Sequence, residues 1–111
     1  MKNSLKDTLI RQIQAVNQPV ALALDGVDTP LFVRRINVGE QAHFAKLADQ
    51  PDQLSVAMVK YGVCDEDGER IFDDKDDKTI LALDAKVVGQ IIEAVSRVNF
   101  GKEVDEYEKN S

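Results

Sequence analysis

Val20-Ala21-Leu22-Ala23-Leu24-Asp25-Gly26-Val27-Asp28-Thr29-Pro30-Leu31-Phe32-Val33-Arg34-Arg35-Ile36 is the stretch on which the fold turns. Large apolar side chains alternate with alanine from Val20 to Leu24, the period of a half-buried strand, and Asp25-Gly26 is a turn signal. Leu31 to Ile36, following Pro30, forms a second β-rich run. The six residues between Leu24 and Leu31 are enough for a hairpin loop, so the two strands are expected to pair antiparallel. A two-stranded ribbon is marginal in water, so it must lie against helices or gain strands from another chain. Its free edge is then a docking rail.

Helical periodicity surrounds the ribbon. Upstream, Ser4 and Asp7 have capping-box spacing, and Leu5, Leu9, Ile13 and Val16 recur on one face, which predicts a helix from Leu5 to Asn17 stopped by Pro19. Downstream, Asn37 and Glu40 repeat the capping pattern ahead of an inward stripe of Phe44, Leu47 and Ala48. Pro51 suits the first turn of a further helix, with Leu54, Met58 and Tyr61 on one face, Val56 and Val59 nearby, and Gly62 weakening its end. Asp65-Glu66-Asp67-Gly68 reads as a turn. The charge cluster Asp73-Asp74-Lys75-Asp76-Asp77-Lys78 puts aspartates where a helix starting before Ile80 and Leu81 favours negative charge.

Asp84 has the character of an N-cap for the last helix, in which Val88, Ile91, Val95 and Val98 recur every three or four residues until Gly101. Lys102 to Ser111 is polar apart from Val104 and Tyr107 and lacks the apolar content to order itself. The fold class is therefore α+β: an N-terminal helix and β-hairpin packed with a mainly helical half of three to four helices. Residues 1–101 form one domain and residues 102–111 a polar tail.

Composition bounds what such a domain can do. The 111 residues carry 20 acidic and 14 basic side chains, a net charge of -6, and a field of that sign repels nucleic-acid phosphates and anionic lipid. Neither nucleic acid nor membrane is an expected partner. The lone cysteine, Cys64, forms no internal disulfide, which fits a reducing compartment. The start lacks the pattern of a secretory signal, and no apolar run approaches the ~20 residues of a membrane span. The cytoplasm is the expected location.

Catalytic groups are scarce. His43 is the only histidine and reads as a surface residue of a short helix. Cys64 reads as a half-buried hydrophobe whose neighbours Asp65 and Glu66 disfavour a thiolate. The acidic run before Gly68 fails as an EF-hand, because placing Gly68 at the loop's glycine puts Val63 at the first ligand position and Asp74 in place of the closing glutamate. No glycine-rich phosphate loop is present, and Arg34-Arg35 is too short a basic patch for nucleic-acid recognition. No catalytic residue, metal site or cofactor is expected, and the chain is read as a non-enzyme.

The run Val56-Ala57-Met58-Val59-Lys60-Tyr61-Gly62-Val63-Cys64-Asp65-Glu66-Asp67-Gly68-Glu69-Arg70-Ile71-Phe72 resembles the tail assembly chaperones of long, flexible-tailed, lambda-like phages and their prophages. In that family an apolar helix runs into an acidic turn, a phenylalanine and a second acidic cluster. Leu83-Asp84-Ala85-Lys86-Val87-Val88 resembles the family's final helix, closing near Asn99, and Val33-Arg34-Arg35-Ile36-Asn37-Val38 resembles its strand followed by a capped helix. The helix ahead of the first strand finds no counterpart in this comparison.

The resemblance implies a non-enzymatic chaperone that binds the long, helical tape measure protein and keeps it soluble while tail-tube subunits polymerise. It implies a protein of the bacterial host cytoplasm that is absent from the finished particle, with the tail tube protein as a further partner. Candidate contact residues are Phe32 and Arg34 on the ribbon edge, and Val104 and Tyr107 in the tail, which could order on binding. Each has a plainer reading: Phe32 as core, Arg34 as solvent-side decoration, the tail as a solvated terminus. The unpaired ribbon edge also allows homo-oligomers. The competing functional reading is a small acidic regulator, a nucleic-acid mimic or antitoxin-like inhibitor seated on a basic site of its target.

Overall fold

The computed structural model describes the backbone from Lys2 to Asn110 and the side chains from Ser4 to Gly101. In chain order it consists of α1 (Lys2–Ala15), β1 (Val20–Leu24), β2 (Val27–Val33), α2 (Val38–Lys46), α3 (Pro51–Gly62), β3 (Val63–Cys64), a 3-10 turn (Asp74–Asp76), α4 (Asp77–Leu81) and α5 (Ala85–Asn110). The α+β class read from the sequence is present.

The hairpin is tighter than expected. Asp25-Gly26 makes the whole turn, with Gly26 at φ 77°, a left-handed conformation that glycine adopts without Cβ strain. The second strand accordingly begins at Val27 rather than Leu31. Pro30 is accommodated because the register shifts between Leu22↔Leu31 and Leu24↔Val27, leaving it in an irregular stretch where no ladder donor is required.

The ribbon also gains a third strand, which the sequence reading did not foresee. β3 pairs antiparallel with β2 through Phe32↔Cys64 and Val33↔Val63, giving the order β1-β2-β3. Two residues in extended conformation are too few for a periodicity signal. The edge expected at Phe32 is thus covered, and the outer strands of the sheet are β1 and β3.

Leu22, Leu31 and Val33 share the sheet face that joins the core, with α5 lying across β1 and β2 and packing against α3. Val33, Val59, Val63 and Val95 are fully buried at its centre. At Gly62 a Cβ would stand 2.5 Å from Cγ2 of Val95, so the end of α3 and the middle of α5 approach as closely as they do only because residue 62 is glycine. Gly62 does close α3, but its main effect is this packing.

Capping follows the sequence at two of the three helix starts where it was expected. Asn37 and Glu40 form a reciprocal box, the Glu40 N–H donating to Asn37 Oδ1 at 2.8 Å and the Asn37 N–H to Glu40 Oε1 at 3.0 Å. Asp84 Oδ1 accepts from the N–H groups of Lys86 and Val87. A cap the sequence reading did not foresee is Asp73 on the 3-10 turn, whose Oδ1 accepts the Lys75 N–H while Asp76 accepts the Asp73 N–H. The third expected cap is absent: α1 begins at Lys2, so Ser4 lies inside the helix instead of capping it. Ala48, expected to face inward, is exposed just beyond α2. Gly101, at φ 52° and ψ -140°, breaks α5 where a terminator was expected, and the backbone on its far side is helical to Asn110.

Candidate docking surfaces

Two of the four candidate contact residues can be placed. Phe32 is half-buried and stands outside the core cluster, between cross-strand partners Ala21 and Cys64. Arg34 is drawn inward. Its guanidinium donates to the Tyr61 carbonyl and pairs with Glu40 at 3.4 Å, and its backbone N–H donates to the Gly62 carbonyl at 2.8 Å. The Arg34 carbonyl accepts from Asn99 Nδ2 at 3.1 Å, so one residue ties β2 to α2, α3 and α5. Val104 and Tyr107 lie outside the residues whose side chains are described.

Asn99 completes that junction from the α5 side. Its Oδ1 accepts the Ile36 N–H at 2.8 Å, and its amide also donates to the Val95 carbonyl at 3.0 Å. The asparagine that supported the family resemblance therefore holds the β2–α2 connection. A side-chain amide suits the task because it offers a donor and an acceptor together.

The acidic stretches have internal work as well. Lys60 is buried, at 8% exposure, and its ammonium pairs with Asp77 at 2.9 Å and Asp74 at 3.4 Å. Desolvation is the largest influence on this lysine and pulls its pKa down, but the hydrogen bonds and charges of Asp77 and then Asp74 together outweigh it and leave the pKa raised. Arg70 donates from Nε to the Lys60 carbonyl at 2.9 Å and stacks over the Tyr61 ring at 4.5 Å. In the first acidic turn, Asp65 Oδ1 accepts the N–H groups of Asp67 and Glu69, and Gly68 takes φ 84°. That carboxylate shapes a turn. A buried lysine inside an apolar helix has no period-based signature, and only the aspartates downstream hinted at a cation to pair with.

His43 and Cys64, the two residues weighed for catalysis, are not set up as a dyad. Cys64 is fully buried, and burial raises its thiol from 9.0 to about 11 against the opposing pull of Arg34, with a smaller push from Asp65. It stays protonated near neutrality and is a poor nucleophile. His43 is exposed on α2, edge-on to the Tyr61 ring with centroids 5.8 Å apart.

What the surface does offer is uncovered apolar area. Every described residue of α1 is exposed, including Leu5 at 73%, Leu9 at 54% and Ile13 at 57%. Two hollows adjoin each other beside α3. One, of about 370 Å³, involves Val56, Ala57 and Leu81, and the other, of about 260 Å³, involves Val56, Leu81, Leu83, Val88 and Ile92. A third, of about 360 Å³, opens between α2, α3 and the end of α5, lined by Phe44, Ala45, Leu54, Met58 and Phe100. Sequence periodicity placed Phe44, Leu54, Val56, Met58 and Val88 on apolar faces, but it could not say where neighbouring helices stop short of covering them. No described helix is long and apolar enough to cross a membrane.

A small α+β domain with apolar hollows between its helices and an uncovered amphipathic helix presents the kind of surface through which proteins meet partners. Residues 3–99 match the family model described as "Phage tail assembly chaperone, TAC", and the chain belongs to that family. Its role lies in phage tail assembly. The match takes in α1, the helix for which the sequence comparison found no counterpart. No curated protein and no solved structure matches the chain.

Proposed function

We propose that this chaperone binds the tape measure protein of its phage in the host cytoplasm, without catalysis, and keeps it soluble while the tail tube polymerises around it. The observation that carries this reading is the family match over residues 3–99. The hollow between α2, α3 and α5 gives it a physical form. Its lining of Phe44, Ala45, Leu54, Met58, Gln41, Ser96 and Phe100 carries no charged group, which suits the apolar stripe of an amphipathic client helix. Met58 adds an adaptable side chain for a client with many similar but unequal stripes. The body's negative charge would keep the complex soluble. The proposed client surface is therefore this hollow. Phe32 on the sheet, Arg34, and Val104 and Tyr107 beyond Gly101 are further proposed contact residues, and the tail tube protein joins as a second partner.

Co-expression of the full chain with the tape measure protein tests the proposal. The expected result is a soluble complex that survives moderate salt, with an insoluble client when the chaperone is omitted. Ala45→Glu, on an exposed residue of the hollow, is expected to weaken the complex at least tenfold while leaving the circular dichroism spectrum unchanged. A client equally soluble without the chaperone, or an affinity that collapses as salt rises, would overturn it, the second outcome favouring an acidic mimic.

A further inference from the structure

α1 is a helix without a platform. A 14-residue helix standing alone in water is marginal, because its nucleation cost is recovered only through tertiary packing. Yet Leu5, Leu9, Ile13 and Val16 form a continuous stripe, and every one of them is exposed. Its charge also departs from the rest of the chain: Lys2, Lys6 and Arg11 face one acid, Asp7, in a protein whose net charge is -6.

The furrow beside α3 has the complementary character. Its two hollows share Asp52, Val56 and Leu81, so they form one trough running from α2 past α4 to the first turns of α5. Leu81 and Leu83 are 60% and 38% exposed there. The lining includes two carboxylates, Asp52 and Asp77, and no lysine or arginine. Asp77 is neutralised by Lys60, whereas Asp52 has no ion-pair partner among the described residues.

α1 does not occupy the trough of its own chain. The connector from Val16 to Pro19 is short, and the Pro19 ring sits beside Gly68, where a Cβ would lie 3.7 Å from it, so the helix leaves the body at a fixed corner. A short, stiff connector joined to an unsatisfied helix and an open groove is the arrangement from which identical chains exchange elements.

We propose that α1 of one copy docks, apolar stripe down, in the α3–α4–α5 trough of a second copy, its basic residues beside Asp52. The exchange makes the chaperone a self-associating protein and leaves the α2–α3–α5 hollow facing outward for a client.

Light scattering on full-length chains tests this with two variants that alter only exposed residues. Leu9→Glu/Ile13→Glu disables the helix and keeps the trough. Leu81→Glu disables the trough and keeps the helix. The wild-type chain is expected to associate at about 100 µM, a concentration at which one docked helix already holds two chains together and reciprocal docking holds them more tightly. Each variant alone is expected to be monomeric, and an equimolar mixture is expected to form a one-to-one heterodimer through the remaining helix–trough pair. Recovery in the mixture also shows that both variants are folded. A monomeric wild type would overturn the proposal, as would a Leu81→Glu chain that still associates by itself, since α1 would then pair with α1 or with another surface. A mixture that stays monomeric while both variants keep the wild-type circular dichroism spectrum would overturn it too.

Discussion

Replacing Asp74 and Asp77 together by asparagine leaves the Lys60 ammonium without a counter-charge in a site where its side chain is only 10% exposed. Removing Lys60 instead leaves two carboxylates whose side chains are 83% and 50% exposed, and water can solvate them. The two halves of one ion-pair cluster should therefore contribute unequally to stability. Breaking a buried pair by deleting one partner costs about 3–5 kcal/mol when the surviving charge is sealed in. Lys60 can extend its ammonium partly towards solvent along its methylene stem, so about 2–3 kcal/mol is expected for the double aspartate variant. Lys60→Met, which fills the same space with an apolar chain, should stay within about 1 kcal/mol of wild type. At about 5 °C per kcal/mol for a domain of this size, the melting temperature should fall by about 10–15 °C in the first case and by less than about 5 °C in the second. Urea titrations followed by circular dichroism give the free energies directly. Equal destabilisation by Lys60→Met and by the aspartate pair would refute the reasoning, because it would mean that the lysine's attraction, and not the desolvation of an orphaned charge, governs the site.

Three further outcomes follow from single contacts. Gly62→Ala drives a methyl to 2.5 Å from Val95 and should cost about 1–3 kcal/mol by overpacking, with Val95→Ala in the same chain restoring part of the loss; a stabilised Gly62→Ala would contradict the close approach. Asn99→Leu strands the Ile36 N–H and should cost about 1–3 kcal/mol, and amide exchange at Ile36 should accelerate measurably. For Cys64 the folded state binds its proton more tightly than the unfolded chain, so its stability contribution is intact below pH 9 and declines as the pH rises towards about 11. The decline should be shallower in Cys64→Ala, as urea midpoints across that range would reveal; Lys60, also raised, loses its contribution only above its ordinary 10.5.

The legible parts of this fold are those written in local chemistry. The Asn37–Glu40 box, the Asp84 cap, the Pro51 start and the Gly101 break all depend on residues within a turn or two of one another, and each was readable from spacing. The illegible parts depend on residues far apart in the chain. β3 is two residues long and exists because Phe32 and Val33 present partners to it. Gly62 looked like a weak helix end because Val95, against which it packs, is more than thirty positions away. The Asp25–Gln90 pair, with hydrogen bonds of 2.8 and 3.2 Å between the hairpin turn and α5, escapes any local rule for the same reason. The candidate contact residues suffered likewise: Arg34 read as a surface charge until its four internal partners came into view.

The same separation of local from distant explains why the chain's acidity is a poor guide to its partners. Read as a total, a charge of -6 suggests a solubilising coat or a mimic of nucleic acid. Read by position, Asp65, Asp73, Asp76 and Asp84 cap turns and helices, and Asp74 and Asp77 hold Lys60. These carboxylates act on the fold itself, and a mimic would need them arrayed outward in register with phosphates. Other acids, among them Asp28, Asp49, Glu66 and Glu93, are exposed and keep the surface negative, but the surface also carries uncovered apolar area: the stripe of α1, the trough beneath Leu81 and Leu83, and the hollow at Ala45. A tail assembly chaperone that grips through such surfaces should lose its client to apolar competitors before it loses it to salt, and that ordering follows from where the charges are already engaged.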